Sequence, residues 1–265
     1  RLTEGTGVAN PDKLLPGPPW TSGTRRQDSE CSVTVISETM FLTNDGGRKL
    51  EGWMWPMSGS WSNAAGKWEL PVAPAGRGVV IPAKPSGEAP RLMIADVAGT
   101  VRLFAADRGG EHLKQWRSGG EKHPAGKPTS SLVVQNDTAG NPVVAFTIEN
   151  RALVCIDPER DEPRWMVKAA DDPAATFVGA PEPIGAGKWL VTDLGGRVTE
   201  YDADGKKGRT LSIELPGAVP ARAAAAIGGA GILVPLSDGS VVVLSLPGSH
   251  SPAPPPKSKA EGEKN

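Results

Sequence analysis

The chain has 265 residues, among them 33 Gly and 26 Pro, and so many turn-forming residues argue against a helical bundle. Its 29 basic and 30 acidic side chains leave a formal net charge of −1, which excludes the broad basic surface of most nucleic-acid-binding proteins. No apolar run reaches the roughly 18 residues of a membrane-spanning helix. This length fits one large domain of the barrel, sandwich or propeller type.

In chain order, residues 1–30 come first, and their turn-rich, weakly patterned sequence predicts a linker or a partial repeat unit. A repeated pattern follows, in which an apolar strand, a tight polar turn and a second apolar strand recur five times. The five segments are 40–54, 93–107, 144–158, 189–203 and 232–246. One turn residue marks each copy, at intervals of 52, 51, 46 and 43 positions: Gly47, Gly99, Asn150, Gly196 and Gly239. Asn tolerates positive φ better than other non-Gly residues, so Asn150 fits this column.

Two further strands complete each period. An apolar stretch precedes each hairpin, and a fourth strand follows it in the first four copies, at 67–70, 114–117, 164–168 and 209–213. A unit of about 40–50 residues with four antiparallel strands is the blade of a β-propeller. We therefore predict an all-β propeller of four-stranded antiparallel blades, with about five repeats visible over 31–247, which can be part of a larger ring.

A second column of large residues supports this alignment. The fourth strand carries Trp68, Trp116 and Trp165 in three copies and Leu211 in the next, at 21, 17, 15 and 15 positions after the turn residue. A flat ring at the same place in successive sheets can cover the neighbouring blade and bury a large apolar area. We predict that Trp116 and Trp165 are structural rings and not a ligand-stacking pair, because a binding site has no reason to recur in each repeat.

These motifs resemble the repeat of quinoprotein-type (pyrroloquinoline quinone-like) β-propellers. The resemblance rests on 99–116, 150–165 and 196–211, where a turn residue, alternating apolar residues, an Asp and a second turn lead to the fourth-strand Trp or Leu. The competing WD-type repeat requires Gly-His and Trp-Asp pairs, which the repeats lack. Enzymes of the resembled family hold their quinone with a vicinal Cys pair, a stacking Trp and calcium-binding acidic residues. In this chain Cys31 and Cys155 stand alone, so we expect no quinone cofactor.

Other motifs of catalysis or metal binding fail on spacing. Residues 202–205 resemble the start of a calcium loop, but no carboxylate follows at the required position, and a plain turn explains them better. The three His share no metal-ligand spacing, and no nucleophile-elbow sequence occurs. We therefore predict no catalytic, cofactor-binding or metal-binding residues and no enzymatic activity.

The sequence leaves two functional hypotheses. The first is a non-catalytic binding or scaffolding propeller with a protein or peptide partner, belonging to a longer protein; the resemblance implies a periplasmic or secreted location. The alternative is a fragment of a quinoprotein dehydrogenase whose cofactor residues lie outside this chain. Residues 248–265, rich in Pro, Lys, Glu and Ser, are predicted to be a disordered tail.

Overall fold

The computed structural model of the chain is built from short antiparallel strands. It describes residues 32–37, 40–44, 47–54, 62–83, 87–106, 111–117, 126–214, 217–227 and 231–245. The predicted linker over 1–30 and the predicted tail over 248–265 lie outside these residues. Within them, the only helical piece is a single 3-10 turn over Pro173–Ala175, so the all-β prediction is confirmed.

The strands form five antiparallel sheets, which we call blades 1 to 5 in chain order. Each sheet is a meander, because every strand pairs with the next one along the chain. Blade 1 consists of β1 (Ser32–Val35), β2 (Met40–Asn44), β3 (Lys49–Met54) and β4 (Ser62–Glu69), and blade 2 of β5 (Val79–Ile81), β6 (Arg91–Ala95), β7 (Val101–Ala105) and β8 (His112–Trp116). Blade 3 consists of β9 (Val133–Asn136), β10 (Pro142–Ile148), β11 (Ala152–Ile156) and β12 (Pro163–Lys168). Blade 4 consists of β13 (Phe177–Pro183), β14 (Trp189–Asp193), β15 (Arg197–Tyr201) and β16 (Lys207–Ser212), and blade 5 of β17 (Ala225–Ile227), β18 (Gly231–Pro235) and β19 (Val241–Ser245).

The hydrophobic core lies between the blades. The first strands of successive sheets approach one another, β1 to β5, β5 to β9, β9 to β13 and β13 to β17. Four clusters of buried apolar residues fill the spaces between blades 1 and 2, 2 and 3, 3 and 4, and 4 and 5. Each strand supplies alternate residues to the two faces of its sheet, so one blade serves two clusters.

The hairpin between the second and third strands of a blade contains residues with positive φ. Gly99, Gly196 and Gly239 have φ values of 87°, 78° and 85°, and Asn150 has 53°. In blade 3 the preceding residue, Glu149, also has positive φ, at 50°, and Arg151 N–H donates to the Ile148 carbonyl. In blades 2, 4 and 5 the equivalent bond is made by the N–H of the glycine itself, to the carbonyl three residues earlier. In blade 3 Arg151 makes this bond, and the positive φ values fall on the two residues before it.

The terminal blades expose apolar residues on the faces that point away from the other blades. Val33 and Val35 of β1 are exposed, as are Val241 and Val243 of β19, whereas Val242 and Leu244 pack toward blade 4. Both outward faces therefore expose apolar side chains of the kind that the inner faces bury.

Candidate functional site

A cavity of about 350 Å³ lies between blades 3 and 4. The end of β12 and the link that follows it form one side, and β13, β14, β15 and the start of β16 form the other. Besides apolar residues, it is lined by a compact polar set: Lys168, Asp193, Arg197, Thr199, Tyr201 and Lys207. The polar set makes this cavity the candidate binding site of the described part of the chain.

The inner wall of the cavity is apolar. Phe177 of β13 and Val191 of β14 are buried and belong to the core cluster between blades 3 and 4. Thr199 and Tyr201 lie on the same face of β15 and continue this wall outward, because alternate residues of a strand point to one side. The cavity is therefore an incompletely filled part of the interface between the two blades.

Tyr201 places a hydroxyl group at the edge of this wall. Its side chain is 7% exposed, and none of the residues that the structure describes hydrogen-bonds to its hydroxyl. Burial, and then the negative charge of Asp193, raises the pKa of Tyr201 above its ordinary value. The phenol is therefore neutral near pH 7 and can donate a hydrogen bond.

Asp193 and Arg197 form a fixed pair at one end of the cavity. The Arg197 backbone N–H donates to Asp193 Oδ1 at 3.0 Å, and Arg197 Nε donates to Asp193 Oδ2 at 2.7 Å. The carboxylate thus closes the hairpin between β14 and β15 and orients the guanidinium. Its charge is matched by Arg197, so it adds little net negative charge to the cavity.

Lys168 and Lys207 are the two lysines among the lining residues. Lys168 is the last residue of β12 and pairs with Ala152, whereas Lys207 is the first residue of β16 and pairs with Tyr201. Both side chains are exposed, and neither forms an ion pair with any described residue. Lys168 shares its face of the sheet with Ala152, which is turned toward blade 2, so of the two lysines only Lys207, opposite Tyr201, has its side chain on the cavity face.

The interface between blades 2 and 3 is apolar along the corresponding face of the third strand. There the third strand of blade 3 turns Ala152, Val154 and Ile156 toward blade 2, and all three are buried in one apolar cluster. In blade 4 the matching face of the third strand carries Arg197, Thr199 and Tyr201. The cavity thus coincides with a change from apolar to polar side chains on one strand.

Trp116 and Trp165 of the fourth strands both reach the next blade. Trp116 is 1% exposed, and its indole N–H donates to the Arg160 carbonyl of blade 3 at 3.1 Å. Trp165 is half-buried, and its indole N–H donates to the Ala203 carbonyl of blade 4 at 2.9 Å. Both acceptors lie in the turn between the third and fourth strands of the following blade, so the two residues make equivalent contacts.

Gly205 lets the Trp165 ring approach this turn. It has φ +77°, and a Cβ at this position would lie 2.7 Å from Cδ2 of Trp165. The turn is also closed by Asp202, whose carboxylate accepts from the backbone N–H groups of Asp204 and Lys206 at 2.9 Å. Residues 202–205 therefore form a hairpin turn that carries a Trp-docking surface, in place of a calcium loop.

The structure also places the other residues that the sequence predicted at the turns and on the fourth strands. Trp68 lies in β4 opposite Leu50, with only its backbone described, and Leu211 packs against the cluster between blades 4 and 5. The Gly47 carbonyl accepts from Asn44 Nδ2 at 2.9 Å in the turn of blade 1. None of these residues lines the cavity.

Sequence reasoning did not identify the cavity. The sequence does carry an indication of it, since Arg197, Thr199 and Tyr201 are polar residues at alternate positions of a strand whose counterpart in blade 3 is apolar. Tyr201 is also the only tyrosine of the chain. Only the packing of the strand against blade 3 reveals which of its two faces borders the cavity.

The described residues do not fit a quinone cofactor or its calcium ion. Cys155 is a free, buried thiol on β11, and no second Cys is adjacent to it, while Cys31 lies outside the described residues. Among the residues that the structure describes, no three His, Cys, Asp or Glu side chains are grouped so that they could hold a metal ion. In the same part of the chain, none of the helical structure is long and apolar enough to cross a membrane.

Comparison with solved structures defines the class of fold. Saccharomyces cerevisiae Sqt1 is similar with a TM-score of 0.63 at 15% identity, over 82% of this chain and 59% of that chain. BBS1N, solved in complex with ARL6DN, is similar with a TM-score of 0.54 at 15% identity, over 78% of this chain and 60% of that chain. BamB from Moraxella catarrhalis has a TM-score of 0.53 at 11% identity, over 78% of this chain and 55% of that chain. The chain is a β-propeller, as its sequence predicted.

These similarities establish the fold alone. BamB has repeats of the quinoprotein-like type, but no family model and no curated protein matches this chain. The chain spans less than two thirds of the length of these solved chains.

Proposed function

We propose that this chain is a non-catalytic binding or scaffolding propeller that takes a protein or peptide partner, with residues 31–247 as the propeller unit of a longer protein. Strands from two rigid sheets position the binding groups, and such frameworks commonly carry binding sites in propellers and other repeat folds. The quinoprotein-type resemblance supports placing the protein in the periplasm or outside the cell.

The cavity between blades 3 and 4 is the observation that carries this proposal. It combines an apolar wall at Phe177 with polar groups that no described residue satisfies, at Tyr201 and Lys207. Apolar surface with a few convergent polar groups is the usual composition of a recognition site. The exposed valines of blades 1 and 5 add apolar surface of the kind that marks protein contacts.

Photo-crosslinking tests the proposal in the native cellular environment. A benzoylphenylalanine residue at Ala170, an exposed residue at the mouth of the cavity, should yield a protein adduct on irradiation. The same probe at Ala98, an exposed alanine in the turn between β6 and β7 of blade 2, should yield little. Absence of an adduct at Ala170, or appearance of a quinone absorbance band after incubation with pyrroloquinoline quinone and calcium, would contradict the proposal.

A further inference from the structure

The cavity becomes more apolar with depth. Its outer side is β16, the last strand of blade 4, where the Lys207 side chain is exposed and has no ion-pair partner among the described residues. Two strands further in, Val191 of β14 is 4% exposed, and Phe177 of β13, the next strand, is 6% exposed. Neighbouring strands are about 4.8 Å apart, so Val191 lies roughly 10 Å from β16 across the sheet. The cavity thus has a charged mouth and an apolar floor.

Lys207 and Tyr201 lie side by side at the mouth, as opposite residues of β16 and β15. The Asp202 N–H donates to the Lys206 carbonyl at 3.0 Å, so these two residues form a hydrogen-bonded pair and Tyr201 and Lys207 form the next, non-hydrogen-bonded pair. Side chains of such a pair are close neighbours, with Cβ atoms about 4.5–5.5 Å apart. One carboxylate between them can therefore contact both the ammonium group and the phenol hydroxyl.

The unsatisfied polar groups of the cavity match a single negative charge. Asp193 is the acidic residue of the lining, and both of its carboxylate oxygens already accept hydrogen bonds from Arg197. Lys207 therefore supplies the unmatched positive charge, and the Tyr201 hydroxyl supplies a second donor that no described residue uses. A ligand with one carboxylate and an apolar body is complementary to this arrangement.

The size of the cavity favours the end of a chain over its middle. A volume of about 350 Å³ is at the small end of the range for ligand pockets. An internal segment would have to enter and leave through the mouth, whereas a chain end enters once. In a C-terminal Leu, Ile or Phe residue, the carboxylate and the apolar side chain share one Cα atom. The side chain can then point to the floor while the carboxylate stays at the mouth.

We infer that this cavity binds the C-terminal residue of the partner protein, a large apolar residue whose carboxylate is held by Lys207 and the Tyr201 hydroxyl and whose side chain packs on Val191 and Phe177. The inference rests on the proposed function and names the part of the partner that is bound. A free carboxylic acid with an apolar body shares this chemistry, and the test below separates it from a chain end.

Fluorescence anisotropy with labelled peptides tests the carboxylate and the apolar side chain separately. The probe is Gly-Ser-Gly-Ser-Leu with an N-terminal fluorophore and a free C-terminus. One control has a C-terminal amide, which removes the charge, and a second ends in Ser, which removes the apolar side chain. Each control should bind more weakly by about tenfold or more, because a charged hydrogen bond or the burial of a Leu side chain is lost. Equal binding of the probe and either control, or no binding of the probe to the native protein, would overturn the inference.

Substitutions at the mouth test where the carboxylate lies. Lys207→Gln should weaken binding of the probe by about three- to fivefold, as for exposed ion pairs, and Tyr201→Phe by a similar factor. Neither variant should weaken binding of the amide peptide, which has no carboxylate to be held. Lys206→Gln is the matched control, because Lys206 lies in the adjacent turn with its backbone N–H bonded to Asp202, and it should leave binding unchanged. An equal loss with Lys206→Gln, or equal losses for the probe and the amide peptide, would contradict the assignment.

Tyrosine labelling adds a test of location. Because Tyr201 is the only tyrosine, a ¹³C-tyrosine sample gives a single set of side-chain resonances. These should shift when the probe is added. Unchanged resonances with a bound probe would place binding elsewhere and refute the inference.

Two further measurements identify the source of the carboxylate. The small acid 4-methylpentanoate has the same carboxylate and apolar group without a peptide chain, and it should compete with the probe less well than the unlabelled peptide does. Equal competition would assign the cavity to a free acid and overturn the inference. Digestion and mass spectrometry of the adduct formed at Ala170 should identify the C-terminal peptide of the partner. An internal peptide would refute only the inference about the C-terminus, whereas absence of any adduct refutes the proposed function itself.

Discussion

The two interfaces that flank blade 3 differ in the side chains on one face of a third strand. Toward blade 2 it presents Ala152, Val154 and Ile156, which are buried with Trp116 in one apolar cluster. Blade 4 turns Arg197, Thr199 and Tyr201 toward blade 3, and a cavity of about 350 Å³ remains there. The repeated blade geometry tolerates this change because backbone pairing and Trp docking are the same at both interfaces. One interface of a propeller can thus contain a cavity suited to binding while the neighbouring interface has an apolar core that stabilises the fold.

Removal of a docking ring should have the largest effect. We expect Trp116→Ala to cost about 3–5 kcal/mol of unfolding free energy, as for other buried large aromatics, because Trp116 is 1% exposed and its N–H contacts blade 3. Trp165→Ala should cost less, about 2–3 kcal/mol, since Trp165 is half-buried beside the cavity. Urea unfolding of both variants measures the difference. Unchanged midpoints would contradict the docking role of both rings and favour a ligand-stacking pair.

A pH effect at Cys155 tests how closely the interior of blade 3 is packed. Burial, with a smaller contribution from the negative charges of Asp157 and Asp137, raises the pKa of the Cys155 thiol from 9.0 to about 12. The unfolded chain therefore ionises at lower pH than the folded protein, so the contribution of Cys155 to stability is constant below pH 9. It should decline by about 1.4 kcal/mol per pH unit between 9 and 12.

Urea unfolding at pH 8 and pH 11 checks this decline, with Cys155→Val as the control because that variant has no thiol to ionise. The native protein should lose more stability than the control between the two pH values. An equal loss in both proteins would show that the thiol ionises as freely in the folded state as in the unfolded chain.

A smaller effect is expected at the glycine against which Trp165 packs. Gly205→Ala adds a Cβ 2.7 Å from the Trp165 ring at a φ of +77°, and it should cost about 2–3 kcal/mol through strain and displacement of the ring. Gly217→Ala is the matched control, because Gly217 has φ +80° and no atom within 4 Å of the added Cβ. That variant should lose only about 1 kcal/mol for the backbone conformation. Equal losses would mean that the Trp165 ring does not depend on this close approach.

The sequence predicts the blades because their repeated turns and apolar strands depend on local interactions. Asn150 illustrates a limit of this local information. The turn-residue column aligns Ala152 with Val101 and Val198, yet Ala152 faces the preceding blade whereas Val101 and Val198 face the following one. In the blade 3 turn, the Arg151 N–H makes the bond to the residue three positions earlier that Gly99 and Gly196 make in their blades. The column is therefore displaced by one residue in blade 3, and a shift of one residue reverses the faces of a strand. Because the cavity depends on which face is turned inward, it could not be located from the sequence.

Thiol labelling of matched positions tests most directly whether one interface is open and the other closed. Val154→Cys and Thr199→Cys, each in a Cys31→Ser background, place a thiol on the third strand of neighbouring blades, facing the preceding blade in both cases. Under native conditions, methyl methanethiosulfonate should modify the cysteine at 199 at least about tenfold faster than the cysteine at 154, which is reached only through unfolding. Equal rates at the two positions, measured by mass spectrometry, would contradict the distinction between a closed and an open interface.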